Sequence, residues 1–356
     1  MNSTGRLYLV VVVACFVALF LLLCLVIYAL LHPRRRRKED VALLQHVFIT
    51  GGSSGIGLSI AETCITEYYP YLEQLTILAR NPEQLKKAQA QLEDLIPKSA
   101  HNNSNPIIKP KIHILSCDVS DAAQVSKKIT EYIQTRGTPT MLFNVAGTSS
   151  AGTMEDTEVS TYQNLMNINY FGSVYVTKAV LPHMKQQNKG SIVFTSSAAG
   201  QLGVFGYTAY SSTKFALRGL AEALGMEVRH YNLSVTVAYP PDTDTPGYQL
   251  ENQPGKKPKE TILIEQSGGV FQSADVARKM ICAAVNGHDS VWFGLEGWML
   301  NTLTAGMTPV TSLPDALAQV SLMSLLRFVS LFYLMDFDKI TQRCKMEREK
   351  EVSKAK

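Results

Sequence analysis

A tyrosine and a lysine four residues apart, Tyr210 and Lys214, have the side chains of an acid–base pair. On a helix this spacing places both on one face, one turn apart. A phenol has an unperturbed pKa of about 10, so alone it exchanges protons poorly at neutral pH. An ammonium group roughly 4 Å away favours the phenolate by about 4 kcal/mol at an effective dielectric constant of 20. The spacing therefore predicts a phenol whose pKa the lysine lowers, and a helix with a surface tyrosine and lysine is the alternative.

A serine lies thirteen residues before Tyr210, after the apolar run at residues 192–195. A hydroxyl at the end of a strand can donate a hydrogen bond to the same carbonyl oxygen that the phenol protonates. Ser197 is therefore a candidate catalytic residue. Its neighbour Ser196 stays an alternative, because the sequence does not exclude a shift of one residue, although the spacing to Tyr210 favours Ser197.

An asparagine, Asn169, lies inside the helix that the pattern predicts over residues 160–187. An amide is unfavourable within a helix unless its side chain is hydrogen-bonded. A buried Asn169 can hold a water molecule that relays protons from Lys214 to solvent, and ordinary helix packing is the alternative.

A glycine-rich turn at residues 50–57 separates a predicted strand at residues 46–50 from a helical pattern at residues 58–68. Such a turn lets a pyrophosphate approach backbone N–H groups at the start of a helix. The spacing TGxxxGxG fits the general dinucleotide pattern GxGxxG only loosely, and a plain tight turn is the alternative. The residues assigned to the cofactor here are Thr50, Gly51, Ser53, Ser54, Gly55, Ile56 and Gly57.

An arginine, Arg80, follows the predicted second strand at residues 75–79. In doubly wound dinucleotide folds the residue at this point meets the adenosine ribose. An arginine suits a 2′-phosphate, whereas an acidic side chain suits a 2′-hydroxyl. Arg80 therefore favours NADPH over NADH, and a solvated loop arginine is the alternative.

Further candidate cofactor contacts follow later strands, predicted at residues 112–117, 141–144 and 233–239. A carboxylate after the first of these can accept from the adenine amino group, or can instead cap the next helix at residues 121–136. The small residues after the second lie beside the cofactor. The residues assigned are Asp118, Val119, Asn144, Ala146, Gly147 and Pro240.

Strands alternate with helices of 11 or more residues along most of the chain. This alternation predicts an α/β fold, a Rossmann-like, doubly wound parallel sheet with helices on both faces. Ligands of such folds bind outside the carboxyl ends of the strands, and every motif above lies at such an end.

Together these residues resemble the short-chain dehydrogenase/reductase superfamily, over residues 41–294. The resemblance implies a seven-stranded sheet, NADPH as cofactor, and pairing of subunits through the two long helices at residues 160–187 and 210–231. It implies that Tyr210 is the general acid/base and that Lys214 lowers its pKa and binds the nicotinamide ribose. It also implies that Ser197 polarises the substrate carbonyl and that Asn169 completes a proton relay.

Three segments, at residues 200–224, 235–247 and 306–317, resemble the branch of this superfamily that reduces long-chain sphingoid ketones at the endoplasmic reticulum. That resemblance implies reduction of a 3-ketone to an alcohol for sphingolipid synthesis. Gln84 and the polar insert near residues 102–105 depart from it. A hydroxysteroid or retinol dehydrogenase is the runner-up, and a membrane scaffold with a vestigial reductase fold is the non-enzyme alternative.

The segment after Tyr239 is long and punctuated by prolines, and it lies where a substrate lid is expected. Two of its carboxylates, Asp242 and Asp244, are candidates to meet the ammonium head group of a sphingoid substrate. Helix capping is the alternative role.

The formal charge of +4 comes mostly from five cations at residues 34–38, which leaves about −1 for the rest of the 356-residue chain. This balance argues against a nucleic-acid-binding body. The six cysteines lack metal-ligand spacing, and two of them lie in an apolar run, so neither a disulfide framework nor a metal site is predicted.

An uncharged, almost wholly apolar run at residues 7–31 is long enough to span a bilayer. The run is too long for a signal peptide, the competing interpretation, and the basic cluster follows it. The positive-inside rule then places the body in the cytosol. We therefore divide the chain into a membrane anchor (1–40), a catalytic domain (41–294) and a C-terminal membrane-associated region (295–356).

The C-terminal region contains an apolar stretch at residues 316–335 with one charge, Arg327, at its middle. A central arginine costs about 2.5–3.5 kcal/mol in a spanning helix. A single crossing would also make the charged tail luminal. A re-entrant pair with residues 295–309, or a helix lying in the membrane interface, is therefore preferred to a single span.

Overall fold

The computed structural model describes residues 41–97, 109–266, 268–310 and 312–355, together with residues 13, 14, 17, 18, 20 and 21, which are helical. Most of the predicted N-terminal span, all of the basic cluster at residues 34–38 and residues 98–108 of the polar insert lie outside these ranges.

Seven parallel strands form one sheet in the order β3-β2-β1-β4-β5-β6-β9. The order reverses beside β1, which pairs with β2 on one side and β4 on the other. The doubly wound parallel sheet predicted from the sequence is confirmed. The strands are β1 (His46–Thr50), β2 (Gln74–Ala79), β3 (Lys111–Ser116), β4 (Met141–Asn144), β5 (Gly190–Thr195), β6 (Leu233–Ala238) and β9 (Ser290–Val291), and β7 (Thr243–Asp244) pairs with β8 (Phe271–Gln272) in a separate two-stranded sheet.

Helices cover both faces of the seven-stranded sheet, because alternate strand residues point to opposite sides. In β1, Val47 and Ile49 pack in one core cluster with Ile60 and Met280, whereas Phe48 packs in the other with Val176. The helices are α1 (Gly55–Glu67), α2 (Pro82–Asp94), α3 (Ala122–Arg136), α4 (Val159–Leu165), α5 (Gly172–Gln187), α6 (Thr208–Val228), α7 (Pro246–Glu251), α8 (Lys259–Glu265), α9 (Ser273–Val285), α10 (Gly294–Leu303) and α11 (Leu313–Ala355).

The structure corrects the continuous helix predicted over residues 160–187, because a π-helical turn, Met166–Phe171, separates α4 from α5. A π turn holds an extra residue and often marks a functional site. Here the turn contains Asn169, whose side chain hydrogen-bonds to the backbone of Thr148. The apolar pattern of the helix continues through the interruption, so it gave no sign of the extra residue.

The last strand of the sheet is also shorter than predicted, since β9 ends at Val291. Gly294 has φ of +67° and begins α10, with Phe293 as its N-cap. The left-handed backbone at this glycine turns the chain away from the sheet, which explains why the predicted strand at residues 291–294 does not continue.

The C-terminal helix α11 is continuous over 43 residues and packs against α10 and α8. Within the described residues, Leu313–Lys354 is the one helix that is long and apolar enough to cross a membrane. Two ion pairs join its second half to the rest of the protein. One links Lys259 and Glu347 at 2.6 Å, and the other links Arg348 and Glu260. The helix therefore runs along the body that contains the sheet, and composition alone did not indicate this contact.

Candidate active site

A cavity of about 1550 Å³ opens at the carboxyl ends of the strands. Its walls are the glycine-rich turn after β1, the turns after β4, β5 and β6, and parts of α6, α7, α8, α10 and α11. A parallel α/β sheet binds its ligands at this edge. Most of the predicted site residues line this cavity.

Ser197, Tyr210 and Lys214 all line the cavity. Ser197 follows β5 and begins a short 3₁₀ turn, in which its Oγ accepts a hydrogen bond from the Ala199 N–H at 3.1 Å. Tyr210 lies in the first turn of α6, and a side-chain hydrogen bond joins its hydroxyl to Ser197. Two hydroxyl groups thus converge on one point, where a single carbonyl oxygen can accept from both.

Lys214 is one helical turn beyond Tyr210, as the spacing predicted. Its Nζ donates to the Thr195 carbonyl at 2.8 Å and lies 5.5 Å from the centre of the Tyr210 ring. Burial lowers the pKa of Lys214 to about 8, because a buried ammonium loses its hydration.

The protonation of Tyr210 differs from the sequence prediction. Burial raises the pKa of Tyr210 above its usual value, and the hydrogen bond with Ser197 only partly offsets this. Lys214 is not among the groups that set this pKa; its ammonium lies over the ring and donates to the Thr195 carbonyl. Tyr210 is therefore protonated at neutral pH and can donate a proton.

The side chain of Ser196 has a different environment from that of Ser197. Ser196 is 1% exposed, and its Oγ donates to the Lys214 carbonyl at 2.8 Å. This bond joins the end of β5 to α6. The geometry thus separates a serine that joins two elements from a serine that faces Tyr210.

The amide of Asn169 is committed to the protein. Its Oδ1 accepts from the Thr148 N–H at 2.8 Å, and its Nδ2 donates to the Thr148 carbonyl and to the Thr213 hydroxyl. An amide offers four hydrogen-bonding positions, so one acceptor position stays open. Asn169 fastens the turn after β4, which carries Gly147, onto the helix that carries Lys214.

The glycine-rich turn fits a bound pyrophosphate. Gly51 has φ of +69°, and a Cβ built there would lie 2.9 Å from the Cα of Ala146. A Cβ at Gly57 would lie 2.3 Å from the Gly51 carbonyl oxygen. Ser54 precedes α1 without a side-chain capping bond, so the first N–H groups of α1 remain for a ligand.

A family model described as short chain dehydrogenase matches residues 45–254. The chain belongs to this family. The dehydrogenase is thus an oxidoreductase that uses a nicotinamide cofactor. It is 45% identical over 342 residues to "3-dehydrosphinganine reductase" of Danio rerio. The match covers 96% of this chain and 97% of that protein.

A second relative, "3-ketodihydrosphingosine reductase" of Bos taurus, is 49% identical to the dehydrogenase over 306 residues, or 86% of this chain and 88% of that protein. The solved structure of L-sorbose reductase from Gluconobacter frateurii, complexed with NADPH and L-sorbose, is 21% identical. The structural match covers 72% of this chain and 97% of the L-sorbose reductase chain, with a TM-score of 0.59. At that identity the likeness shows a shared fold alone.

The predicted cofactor residues of the dehydrogenase fall into two groups. Those that line the cavity are Gly51, Ser53, Ser54, Gly55, Ile56, Gly57, Ala146, Gly147, Tyr210, Lys214 and Pro240. Thr50, Asn144 and Val119 lie behind the cavity wall. The Thr50 hydroxyl accepts from the N–H groups of Val145 and Ala146, so it holds two turns of the cradle together.

Arg80 and Asp118 lie beside each other, at 4.0 Å, outside the lining of the cavity. The Arg80 side chain is 68% exposed, so its guanidinium is accessible to a ligand. Asp118 Oδ1 accepts from the N–H and hydroxyl of Ser120, and it is Asp121 that caps α3. One of the two roles left open for Asp118, capping of the next helix, is therefore wrong.

The sequence interpretation missed a charged cluster on the lid side of the cavity. Lys257 is 1% exposed and pairs with Glu265 at 2.8 Å and with Glu251 at 3.4 Å, and the Tyr207 hydroxyl donates to Glu251. These residues are 6 to 58 positions apart and follow no motif. The position of Tyr207, three residues before Tyr210 and at the N-cap of α6, is the one signal that could have indicated it.

Proposed function

We propose that the chain reduces the 3-ketone of 3-dehydrosphinganine to the alcohol with NADPH. The observation that carries the proposal is the convergence of the Ser197 and Tyr210 hydroxyls in a large cavity beside a pyrophosphate cradle. The relatives that bear the names of this activity match most of the chain. A nicotinamide cofactor follows from the family, and the choice of NADPH is part of the proposal.

Each catalytic side chain has one role in the proposed reaction. When bound, the nicotinamide supplies the hydride that adds to the carbonyl carbon. Ser197 donates a hydrogen bond to the carbonyl oxygen and polarises it. Tyr210 donates the proton that this oxygen takes up, so that one hydride and one proton convert the ketone to the alcohol.

The other site residues support this pair. We assign to Lys214 the binding of the nicotinamide ribose, since its ammonium lies in the cavity wall between Thr195 and the Tyr210 ring. Asn169 positions the turn that carries Gly147, and its carboxamide has one free acceptor position for a relay water. Ser196 holds α6 against β5 and takes no part in proton transfer.

The preference for NADPH is assigned to Arg80. Replacing Arg80 by alanine should raise KM for NADPH by about tenfold and leave KM for NADH nearly unchanged, since only NADPH has the 2′-phosphate. Steady-state kinetics with the two cofactors measure both values. Lys86→Ala is the matched control, because Lys86 is an exposed cation that pairs with Glu83 on α2. An equal loss with both cofactors would contradict the assignment.

Membrane association is the second part of the proposal. One side of α11 lines the cavity with Leu326, Tyr333 and Phe337, and exposed apolar residues such as Phe328 and Phe332 cover much of the rest. The ion pairs of Glu347 and Arg348 hold this helix beside the domain, which suits a helix lying in the membrane interface. An alkyl chain can then pass from the bilayer into the cavity.

The proposed location is the endoplasmic reticulum membrane, with residues 41–294 in the cytosol as the catalytic domain and residues 1–40 as the anchor. The sequons at Asn102 and Asn232 should then carry no glycan on the chain isolated from cells, and a glycan at either would contradict this orientation. Pairing of subunits through the helices around α5 and α6 stays a prediction.

The test of the function compares two ketones in one assay. The full chain in detergent, with NADPH, should reduce the long-chain 3-keto amine with kcat/KM at least about tenfold above that for a steroid ketone. NADPH absorbance measures both rates. A steroid or retinoid carbonyl reduced faster than the amino ketone would favour the runner-up, and no reduction of any ketone would favour the scaffold.

A further inference from the structure

The loop after β6 carries a carboxylate that faces the cavity. Asp242 follows β6 on the loop that begins with Pro240, and its side chain lines the cavity. Its carboxylate makes no hydrogen bond and no ion pair with any residue that the structure describes. The backbone of Asp242 is nevertheless fixed, because its carbonyl accepts from the Phe271 N–H at 2.8 Å.

This loop contacts the turn that carries Ser197. The Pro240 carbonyl accepts from the Ala198 N–H at 3.1 Å. Asp242 is thus two residues from the hydrogen bond that joins its loop to the turn of Ser197. The charge of Asp242 is also close enough to Tyr210 to raise the pKa of its phenol. A group bonded to Asp242 therefore lies near a carbonyl held by Ser197 and Tyr210.

The neighbouring carboxylates, Glu251 and Glu265, are already paired. Lys257 contacts both, and Glu251 also accepts from the hydroxyls of Tyr207 and, at 2.5 Å, of Ser149. Lys257 is therefore bonded to these two glutamates and not to Asp242.

The unpaired carboxylate is destabilised where it stands. Burial raises the pKa of Asp242 to about 7, and the charges of Glu265 and Glu251 add to this against the opposing charge of Lys257. A carboxylate in such a place favours a nearby cation, because a cation stabilises the ionised form. Lys257, the cation whose charge acts on Asp242, is already bonded to Glu251 and Glu265, so a ligand ammonium can pair with Asp242 in its place.

We propose that Asp242 binds the ammonium group of the substrate and makes the site specific for amino ketones. The inference rests on the proposed function, in which the amino group is on the carbon next to the ketone. A ketone oxygen at Ser197 and Tyr210 then places the ammonium within reach of the adjacent loop. Steroid and retinoid carbonyl compounds have no such group, so Asp242 gives them no attraction.

The structure separates the two carboxylates that the sequence left together. Asp244 is exposed, does not line the cavity, and accepts from Gln249 Nε2 at 3.1 Å. It is therefore a matched control, since Asp244→Asn makes the same chemical change two residues away and outside the site.

The experiment uses the full chain in detergent with NADPH and two substrates of equal length, the 3-keto amine and the same ketone with hydrogen in place of the amino group. Asp242→Asn should lower kcat/KM for the amino ketone by about 10- to 100-fold, chiefly through KM, because one charge-assisted hydrogen bond is lost. The same variant should change kcat/KM for the ketone without the amine less than about threefold, and Asp244→Asn should change neither.

Equal effects of Asp242→Asn on the two ketones, or no effect, would overturn the inference, and activity on the ketone without the amine reports that the variant is folded. A second measurement needs no variant: a long-chain primary amine should inhibit the wild-type protein about tenfold more tightly than the alcohol of equal length. Equal inhibition would also overturn it. If the wild-type protein does not reduce the amino ketone at all, the proposed function fails instead.

Discussion

Replacing Tyr210 by phenylalanine should lower kcat for ketone reduction by about a thousandfold, within the range of a lost general acid. The phenylalanine ring keeps the packing against Tyr207, whose ring centre lies 5.4 Å away, but it has no proton to donate. NADPH consumption at saturating ketone measures kcat. Binding of NADPH, followed by its fluorescence, should remain close to that of the wild-type protein, because the cradle is unchanged.

The matched control is Tyr162→Phe. The Tyr162 hydroxyl bonds to Thr208 at 2.7 Å, at the start of the same helix but outside the cavity lining. Its removal should change kcat less than about twofold, since surface substitutions rarely alter a site. A Tyr210→Phe protein that binds NADPH and retains more than about a tenth of wild-type kcat would exclude Tyr210 as the proton donor.

The raised pKa of Tyr210 keeps the proton on the phenol at neutral pH, although it also makes the phenol a weaker acid than an unperturbed one. A reductase needs a proton donor, and a phenol whose pKa lies above its usual value is almost wholly protonated at neutral pH. The sequence prediction was built on the lysine alone and therefore expected the opposite direction. It did not account for burial, which acts on the phenol and on the ammonium of Lys214 together.

The sheet was predictable because each strand is a short apolar run between turn residues. Runs such as Val47–Phe48–Ile49 are buried on both faces, as parallel strands covered by helices must be. The positions of Ser197, Tyr210 and the glycine turn followed in turn, since each lies at the carboxyl end of a strand or on the helix after it. Local spacing was sufficient for these residues.

The charged cluster was not predictable, because its contacts join distant parts of the chain. Ser149 and Glu251 are 102 residues apart, and Tyr207 and Glu251 are 44 apart. No periodicity brings such residues together, and only the packing of the lid against α6 does so. The separation of Asp242 from Asp244 depends on the same packing.

The C-terminal helix was partly predictable. Its long apolar stretch was visible in the composition, whereas contact with a membrane without a simple crossing stays a prediction. The ion pair between Arg348 and Glu260, whose side chain is fully buried, could not be read from composition. This contact holds the helix against the body, where some of its residues line the cavity. The helix thus connects the proposed membrane surface with the proposed site of reduction.

Replacing Ser197 by alanine should lower kcat/KM by about a hundredfold, because a hydrogen bond to an oxygen that gains negative charge contributes more than an ordinary one. Replacing Ser196 by alanine should change kcat/KM less than about threefold, since its Oγ already donates to the Lys214 carbonyl. Steady-state kinetics of the two variants with the amino ketone measure both effects.

The two variants are well matched, because each loses one hydrogen bond to the backbone. Ser197 accepts from the Ala199 N–H, and Ser196 donates to the Lys214 carbonyl. Each loss should lower the free energy of unfolding by about 1 kcal/mol, which chemical denaturation measures. Stability then cannot account for a difference in activity. A larger loss of activity in Ser196→Ala than in Ser197→Ala would reverse the assignment and shift the catalytic serine by one residue.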